Sequence, residues 1–354
     1  MVVDLSEKNG TIKTKILFVS NVSLKDSTGQ SAFVRNVYDE FSCYEDFSTR
    51  FVGTDMFPKS WASKNLVALA LKVIVFQMIL VFYFARIEKN EVCIFSFKPY
   101  MWSVLFLRIF RVRYVVLVEG LMPKTVEKLF PSWFRTPFHL LSKSVFKNAI
   151  GVICAYRSAA DWVEKVSSGV RVEVVPCGFK ELNFQASERA EYDLCYVGSF
   201  RVVHRLDVLL CFAKEYGLSV IFLGVGEQQS EIKERCQLMG IRSDFVGFVD
   251  ATELPSYIGL AKVGWGVIDS EHWGVPMKVL DYVASGRPAI TNSDHFSNLE
   301  VNGNVELVSS LDLSEIYRAF GRCLAGDIGF DSEELTDKYA WKNYCLVSQG
   351  FIAE

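Results

Sequence analysis

The feature that most restricts the fold of this chain is a rhythm that runs twice. Short apolar runs alternate with stretches of helical periodicity. In the first half the runs lie at residues 15–21, 92–97, 114–118, 149–154 and 171–176, and in the second at 193–197, 219–223, 244–246, 262–267, 289–290 and 304–308. Helical patterns separate them, at 31–41, 66–84, 100–110, 133–147 and 159–166, then at 206–216, 229–239, 252–258, 277–284, 313–324 and 341–349. Continuous apolar runs joined by helices are the signature of parallel strands covered on both faces. Such alternation favours α/β layers over sandwiches or bundles. A chain of 354 residues is comfortable for two such domains. The expected boundaries are 1–180 and 181–335, with 336–354 as a C-terminal helix that returns to the first domain.

Charge divides at the same place. Residues 1–180 carry 24 Lys and Arg against 15 Asp and Glu, a balance of +9, and the remainder carries 14 against 26, a balance of −12. The two halves therefore have different partners. Aromatic residues are interleaved with the basic ones between Phe106 and Phe138. That mixture suits an anionic membrane face, and no nucleic-acid module is readable. The run 66–84 has the length of a bilayer span. It holds Lys72 and Gln77, however, and stands where a Rossmann-type unit places a helix, so a buried or membrane-touching helix is expected. The segment 133–147, with Arg135, Lys143 and Lys147, reads as a membrane-surface helix opened at Thr136-Pro137 or as a core helix. The nine cysteines form no CxxC or Cys/His cluster and read as reduced thiols of a cytoplasmic protein. The polar start, Met1–Thr14, is not expected to act as a secretory signal.

Chemistry concentrates in residues 269–291, DSEHWGVPMKVLDYVASGRPAIT. Pro276 precedes a short helical run carrying Lys278 and, one turn on, Asp281, and Gly286 stops it. A helix start with a lysine in its first turn attracts phosphate. Lys278, Asp281, Tyr282, Ala284, Gly286 and Pro288 match the pattern K-x-x-E-Y-x-A-x-G-x-P. This stretch resembles the nucleotide-sugar-binding segment of family 4 glycosyltransferases of the GT-B superfamily, with Asp281 standing where the family has Glu.

Other segments extend the resemblance. Gly198 to Arg205, GSFRVVHR, is similar to the family's "G-R-L…K-G" segment, which makes Arg201 and Arg205 the groups for the donor diphosphate. Arginine offers two-pronged phosphate geometry and stays charged. The segment 245–249, FVGFV, is similar to one whose backbone meets the nucleobase, and it includes Phe248. Gly29, in the loop before the first helix, matches a glycine that approaches the donor phosphates or the acceptor. The resemblance also implies that Asp281 holds the ribose and that Glu271, or the backbone at Trp273-Gly274, meets the sugar. Glu119 ends the 114–118 strand, the place of a ligand crevice. It reads as a general base or acceptor partner, or as a loop carboxylate paired with Arg113 or Lys124.

The resemblance implies a GT-B architecture, two Rossmann-like domains with parallel sheets facing across a cleft. It also implies a retaining, metal-independent hexosyltransferase with no cofactor beyond its co-substrate, a UDP- or GDP-sugar. The expected acceptor is a glycan or lipid-linked molecule at the inner membrane surface, in polysaccharide or lipopolysaccharide assembly. A nucleotide-sugar 2-epimerase of the same fold and a non-catalytic scaffold are the alternatives.

Overall fold

The structure, a computed structural model, describes residues 13–24, 29–54, 66–99, 101–120, 126–127, 130–178, 190–269, 276–293, 304–326 and 339–353. The chain divides into two compact units: Met1–Cys177 with Trp341–Glu354, and Gly178–Ala340.

The first unit is a six-stranded parallel sheet. Its strands are β1 (Thr14–Val19), β2 (Phe47–Val52), β3 (Glu91–Ser96), β4 (Arg113–Val118), β5 (Gly151–Cys154) and β6 (Val172–Val174), in spatial order β2-β1-β3-β4-β5-β6. β3 and β4 are buried almost end to end, as a central parallel strand must be. β2 is absent from the sequence reading because its FSTRFV is half polar. It is an edge strand that buries Phe47 and Val52 and leaves the residues between them partly exposed.

The crossovers are α1 (Gly29–Cys43), α2 (Leu66–Phe84), α3 (Leu105–Ile109, preceded by a 3₁₀ turn at Trp102–Val104), α4 (Arg135–Lys147) and α5 (Arg157–Val166). Gly29 begins α1, so it belongs to the helix and not to the loop before it. α4 opens on a 3₁₀ turn, Ser132–Phe134, with no side-chain cap, so Thr136-Pro137 lies inside its first turn and does not cap it. α2 buries Phe76, Gln77, Leu80 and Phe84 against the unit. Ser103 donates to Gln77 Oε1 through both its backbone N–H (3.2 Å) and its hydroxyl (2.7 Å), which ties α2 to the turn before α3. No helix among the described residues is long and apolar enough to cross a membrane.

The last helix, Lys342–Ala353, belongs to this unit and packs beside α1. Trp341 meets the Phe33 ring edge-on at 5.4 Å. The buried Tyr344 hydroxyl donates to the Val175 carbonyl at 2.8 Å, and the Arg113 guanidinium donates to the Ile352 carbonyl at 2.8 Å.

The second unit repeats the plan with β7 (Tyr192–Val197), β8 (Val220–Leu223), β9 (Ser243–Gly247), β10 (Ala261–Trp265), β11 (Ala289–Thr291) and β12 (Val305–Leu307), in order β12-β11-β10-β7-β8-β9 and all parallel. Its core joins Leu194, Tyr196, Phe200, Phe222 and Trp265 to Leu209 and Phe212 of the helix Leu206–Tyr216. The helix expected at 252–258 is shorter, Leu254–Ile258, and Glu253, not Thr252, occupies its cap without a side-chain bond.

In each sheet the strand order reverses beside the unit's first strand, between β1 and β3 and between β7 and β10. In open α/β sheets the loops at the carboxyl ends of the strands part at such a point and leave a crevice for ligands.

Candidate active site

Next to the reversal point of the second unit, the segments that follow β7 and β8 lie backbone against backbone. Gly224 (φ 131°) follows β8, and a Cβ there would stand 2.1 Å from the Gly198 carbonyl oxygen. Gly198 itself has φ 130° and follows β7. Only glycine meets both demands, the positive φ and the close approach.

Lys278 opens the short helix Lys278–Ala284 beside this crossing and is 7% exposed. Its Nζ lies 3.3 Å from His204 Nδ1 and 4.2 Å from the centre of the Tyr196 ring. A Cβ on Gly198 would lie 3.3 Å from the same nitrogen. Burial pushes the Lys278 ammonium down to about 7, against the opposing pull of Asp281 and Cys195. Burial raises the Asp281 carboxyl to about 6, and the Lys278 cation pulls it back. A buried lysine tuned close to neutrality, near the point where an α/β sheet parts its loops, can take up a proton and hold an anion.

Tyr282 anchors the helix that carries both groups. Its hydroxyl accepts from the Val197 N–H at 2.8 Å and donates to the Trp265 carbonyl at 3.1 Å, bridging β7 and β10. Its ring occupies the space that a side chain at Gly264 would fill, since a Cβ there would be 2.2 Å away.

The two predicted arginines take different places. Arg205, at φ 45°, joins the 3₁₀ turn Val202–His204 to the next helix. Its guanidinium forks onto Asp207 with bonds of 3.0 and 2.9 Å, so an anion must compete with that carboxylate. Arg201 is exposed and stands just before the 3₁₀ turn that carries His204. Phe248 follows β9, two strands from β7, and is 63% exposed. Glu271, Trp273 and Gly274 lie outside the described residues.

In the first unit, Glu119 pairs with Lys98 at 3.3 Å, with side chains 7% and 8% exposed. Lys98 lies two residues beyond β3, so the pair stands at adjacent strand ends close to the β1/β3 reversal. Of the two pairings expected for Glu119, Arg113 instead donates to the Ile352 carbonyl, and Lys124 lies outside the described residues. The buried hydroxyls of Ser20, just past β1, and Ser96, at the end of β3, have no hydrogen-bond partner among the described residues. Unsatisfied buried hydroxyls at a reversal point fit a polar ligand.

Sequence reasoning missed Lys98, His204 and Tyr196. Lys98 and His204 each follow an apolar strand closely, and that position was the readable signal. Their partners lie far along the chain, Glu119 past the end of β4 and Lys278 at the start of a helix.

No family model matches the chain, and no curated protein matches it. Solved structures do. The chain is similar to the apo form of the lipopolysaccharide outer core galactosyltransferase WaaB, with TM-score 0.64 and 14% identity over 96% of this chain and 99% of that one. It is similar to Anabaena HepE in complex with UDP and glucose, with TM-score 0.66 and 12% identity over 96% and 100%. It is also similar to an S. aureus TarM mutant in complex with Fondaparinux, α-GlcNAc-glycerol and UDP, with TM-score 0.57 and 14% identity over 79% of this chain. The chain spans about three fifths of that longer protein, 59% of its length. At these identities the likeness establishes the fold. The chain has the GT-B fold, two Rossmann-like α/β units with parallel six-stranded sheets.

Proposed function

We propose that the chain is a glycosyltransferase that moves a sugar from a UDP- or GDP-linked donor to a glycan or lipid-linked acceptor, in surface-polysaccharide or lipopolysaccharide assembly. The second unit takes the donor and the first takes the acceptor. Transfer proceeds with retention at the anomeric carbon and without a metal, close to the inner face of the membrane.

The observation that carries this reading is Lys278, a buried ammonium held near neutrality beside His204 at the strand reversal of the second unit. As the bond between the sugar and the diphosphate breaks, negative charge collects on the departing phosphate. Lys278 offsets that charge from a fixed position, with Arg201 as a second, exposed cation, and a preorganised cation needs little rearrangement to do so. Asp281, one turn on, accepts from a ribose hydroxyl. In the first unit, Ser20 and Ser96 offer hydroxyls to the acceptor, and the Lys98–Glu119 pair holds the adjacent strand ends. UDP accompanies two of the three similar structures, and a third is named a lipopolysaccharide galactosyltransferase. That makes UDP-sugars the first donors to try.

Thermal unfolding of the purified chain against UDP, GDP, ADP and CMP, without metal, tests the donor site. Saturation at a hundred times Kd stabilises by about 2.7 kcal/mol. One nucleotide is expected to raise the Tm of the wild type and not of Lys278→Met. A wild type that responds to none of the four sinks the donor-site assignment.

A further inference from the structure

Three crossover helices of the first unit present an outer surface unlike that of the other described residues. α2, α3 and α4 connect strands that advance in one direction across the sheet, β2 to β3 to β4 to β5. Right-handed crossovers place all three on one face of it. They pack side by side in that order. Each buries one flank in the core and turns apolar side chains outward. α2 shows a stripe of Leu71, Ile74, Met78 and Phe82, the turn and helix of α3 show Trp102 and Ile109, and α4 with its preceding turn shows Trp133 and Leu140. The largest exposures are those of Trp133 at 71%, Ile109 at 66% and Met78 at 63%. Residues 66–84, 102–111 and 132–147 hold ten of the nineteen exposed large hydrophobic residues among those described. A face of contiguous apolar side chains on a water-facing surface marks an interaction site.

Charge identifies the occupant. The same three segments contain no Asp or Glu. Exposed cations rim them: Arg86 just past α2, Arg108 and Arg111 at α3, and Arg135, Lys143 and Lys147 along α4. The neighbouring helix on this face, α5, carries the ordinary alternative. Its outer side pairs Arg157 with Asp161 and Glu164. At the α2 edge, Val75, Met78, Ile79 and Phe82 line a groove of about 570 Å³ with Arg50 and Arg86. The Arg86 guanidinium lies 3.6 Å above the Phe82 ring, so cation and apolar floor adjoin. Arg50 is engaged by the buried Glu91, and Arg86, stacked on Phe82, is the groove's other cation.

From this we infer that the α2–α3–α4 face docks on a lipid bilayer rich in anionic headgroups. The apolar side chains enter the headgroup boundary, and the arginines and lysines meet lipid phosphates. A second copy of the chain is a poor occupant, because a two-fold interface here would set cations against cations. The inference deepens the membrane-proximal part of the proposed function by locating the contact. It uses no residue of the donor site, so vesicle binding and nucleotide binding can fail separately.

The test is flotation of the full chain, without nucleotide, with phosphatidylcholine vesicles carrying increasing phosphatidylglycerol. The comparison is with Met78→Glu/Ile109→Glu/Trp133→Glu and with Leu238→Glu, an exposed site on the other unit. Binding is expected only to anionic vesicles and is expected to weaken with salt. It should fall by about a hundredfold or more in the triple variant, at unchanged Tm, and persist in Leu238→Glu. Absence of binding at every phosphatidylglycerol fraction overturns the inference, as does equal binding to neutral vesicles or binding that survives the triple substitution. A wild-type dimer that the triple variant dissociates, with no vesicle binding by either, assigns the face to a second copy instead.

Discussion

Lys278→Met separates the cost of the candidate donor site from its use. The Lys278 ammonium is shifted from 10.5 to about 7, and at about 1.36 kcal/mol per unit this amounts to a folding penalty on the order of 5 kcal/mol. Methionine keeps the length and apolar stem and removes the charge. Asp281 then loses a counter-charge and stays protonated instead, which offsets part of the gain, and a net stabilisation of about 2 kcal/mol at pH 7 is expected. The sign with pH is definite. Below pH 7 the folded and unfolded chains both hold the Lys278 proton, and the penalty is complete. Above it the folded chain sheds the proton while the unfolded chain keeps it up to 10.5, so stability recovers as pH rises. Between pH 7 and 9 the wild type should gain about 2 kcal/mol that Lys278→Met does not. Urea unfolding at several pH values measures this. A bound diphosphate restores the charge. Above pH 7 the wild type should therefore take up close to one proton on binding UDP, with Kd rising up to about tenfold per pH unit. Calorimetry in two buffers of different ionisation enthalpy reads that proton. A Lys278→Met protein that is less stable than wild type, has the same pH slope and binds UDP as well would refute the reasoning.

Three further outcomes follow from packing. Glu119→Ala should cost about 3 kcal/mol or more in urea unfolding by leaving Lys98 buried without its anion, and adding Lys98→Met should recover much of it; a purely additive loss would argue against a coupled pair. Gly224→Ala sets a Cβ against the Gly198 carbonyl at a positive φ and should destabilise the second unit by about 3 kcal/mol or more, read by thermal unfolding. Tyr344→Phe removes the bond to the Val175 carbonyl and should cost about 1 kcal/mol; a loss indistinguishable from zero would mean that this bond does not fasten the last helix.

The amino-acid sequence alone determined the fold class. Buried parallel strands must be continuously apolar, and β3, β4, β7 and β8 all announce themselves that way. It also marked Lys278 and Asp281, because a lysine and a carboxylate one turn apart behind a proline form a local pattern. It could not show β2, whose edge position lets it be half polar, nor the hydrogen bond from Ser103 that holds Gln77 and seats α2 on the unit. Strand order, and with it both reversal points, was settled by tertiary structure, since register and neighbour choice depend on segments far apart in the chain. The same holds for what surrounds each charged group. Folding brings Arg205 onto Asp207 and brings Lys98 from the next strand onto Glu119, contacts that neither residue's local pattern announces. Lys278 is an ordinary lysine in the unfolded chain. Burial beside Tyr196 and His204 lowers its proton affinity, because a low-polarity surround penalises charge, and only folding supplies that surround.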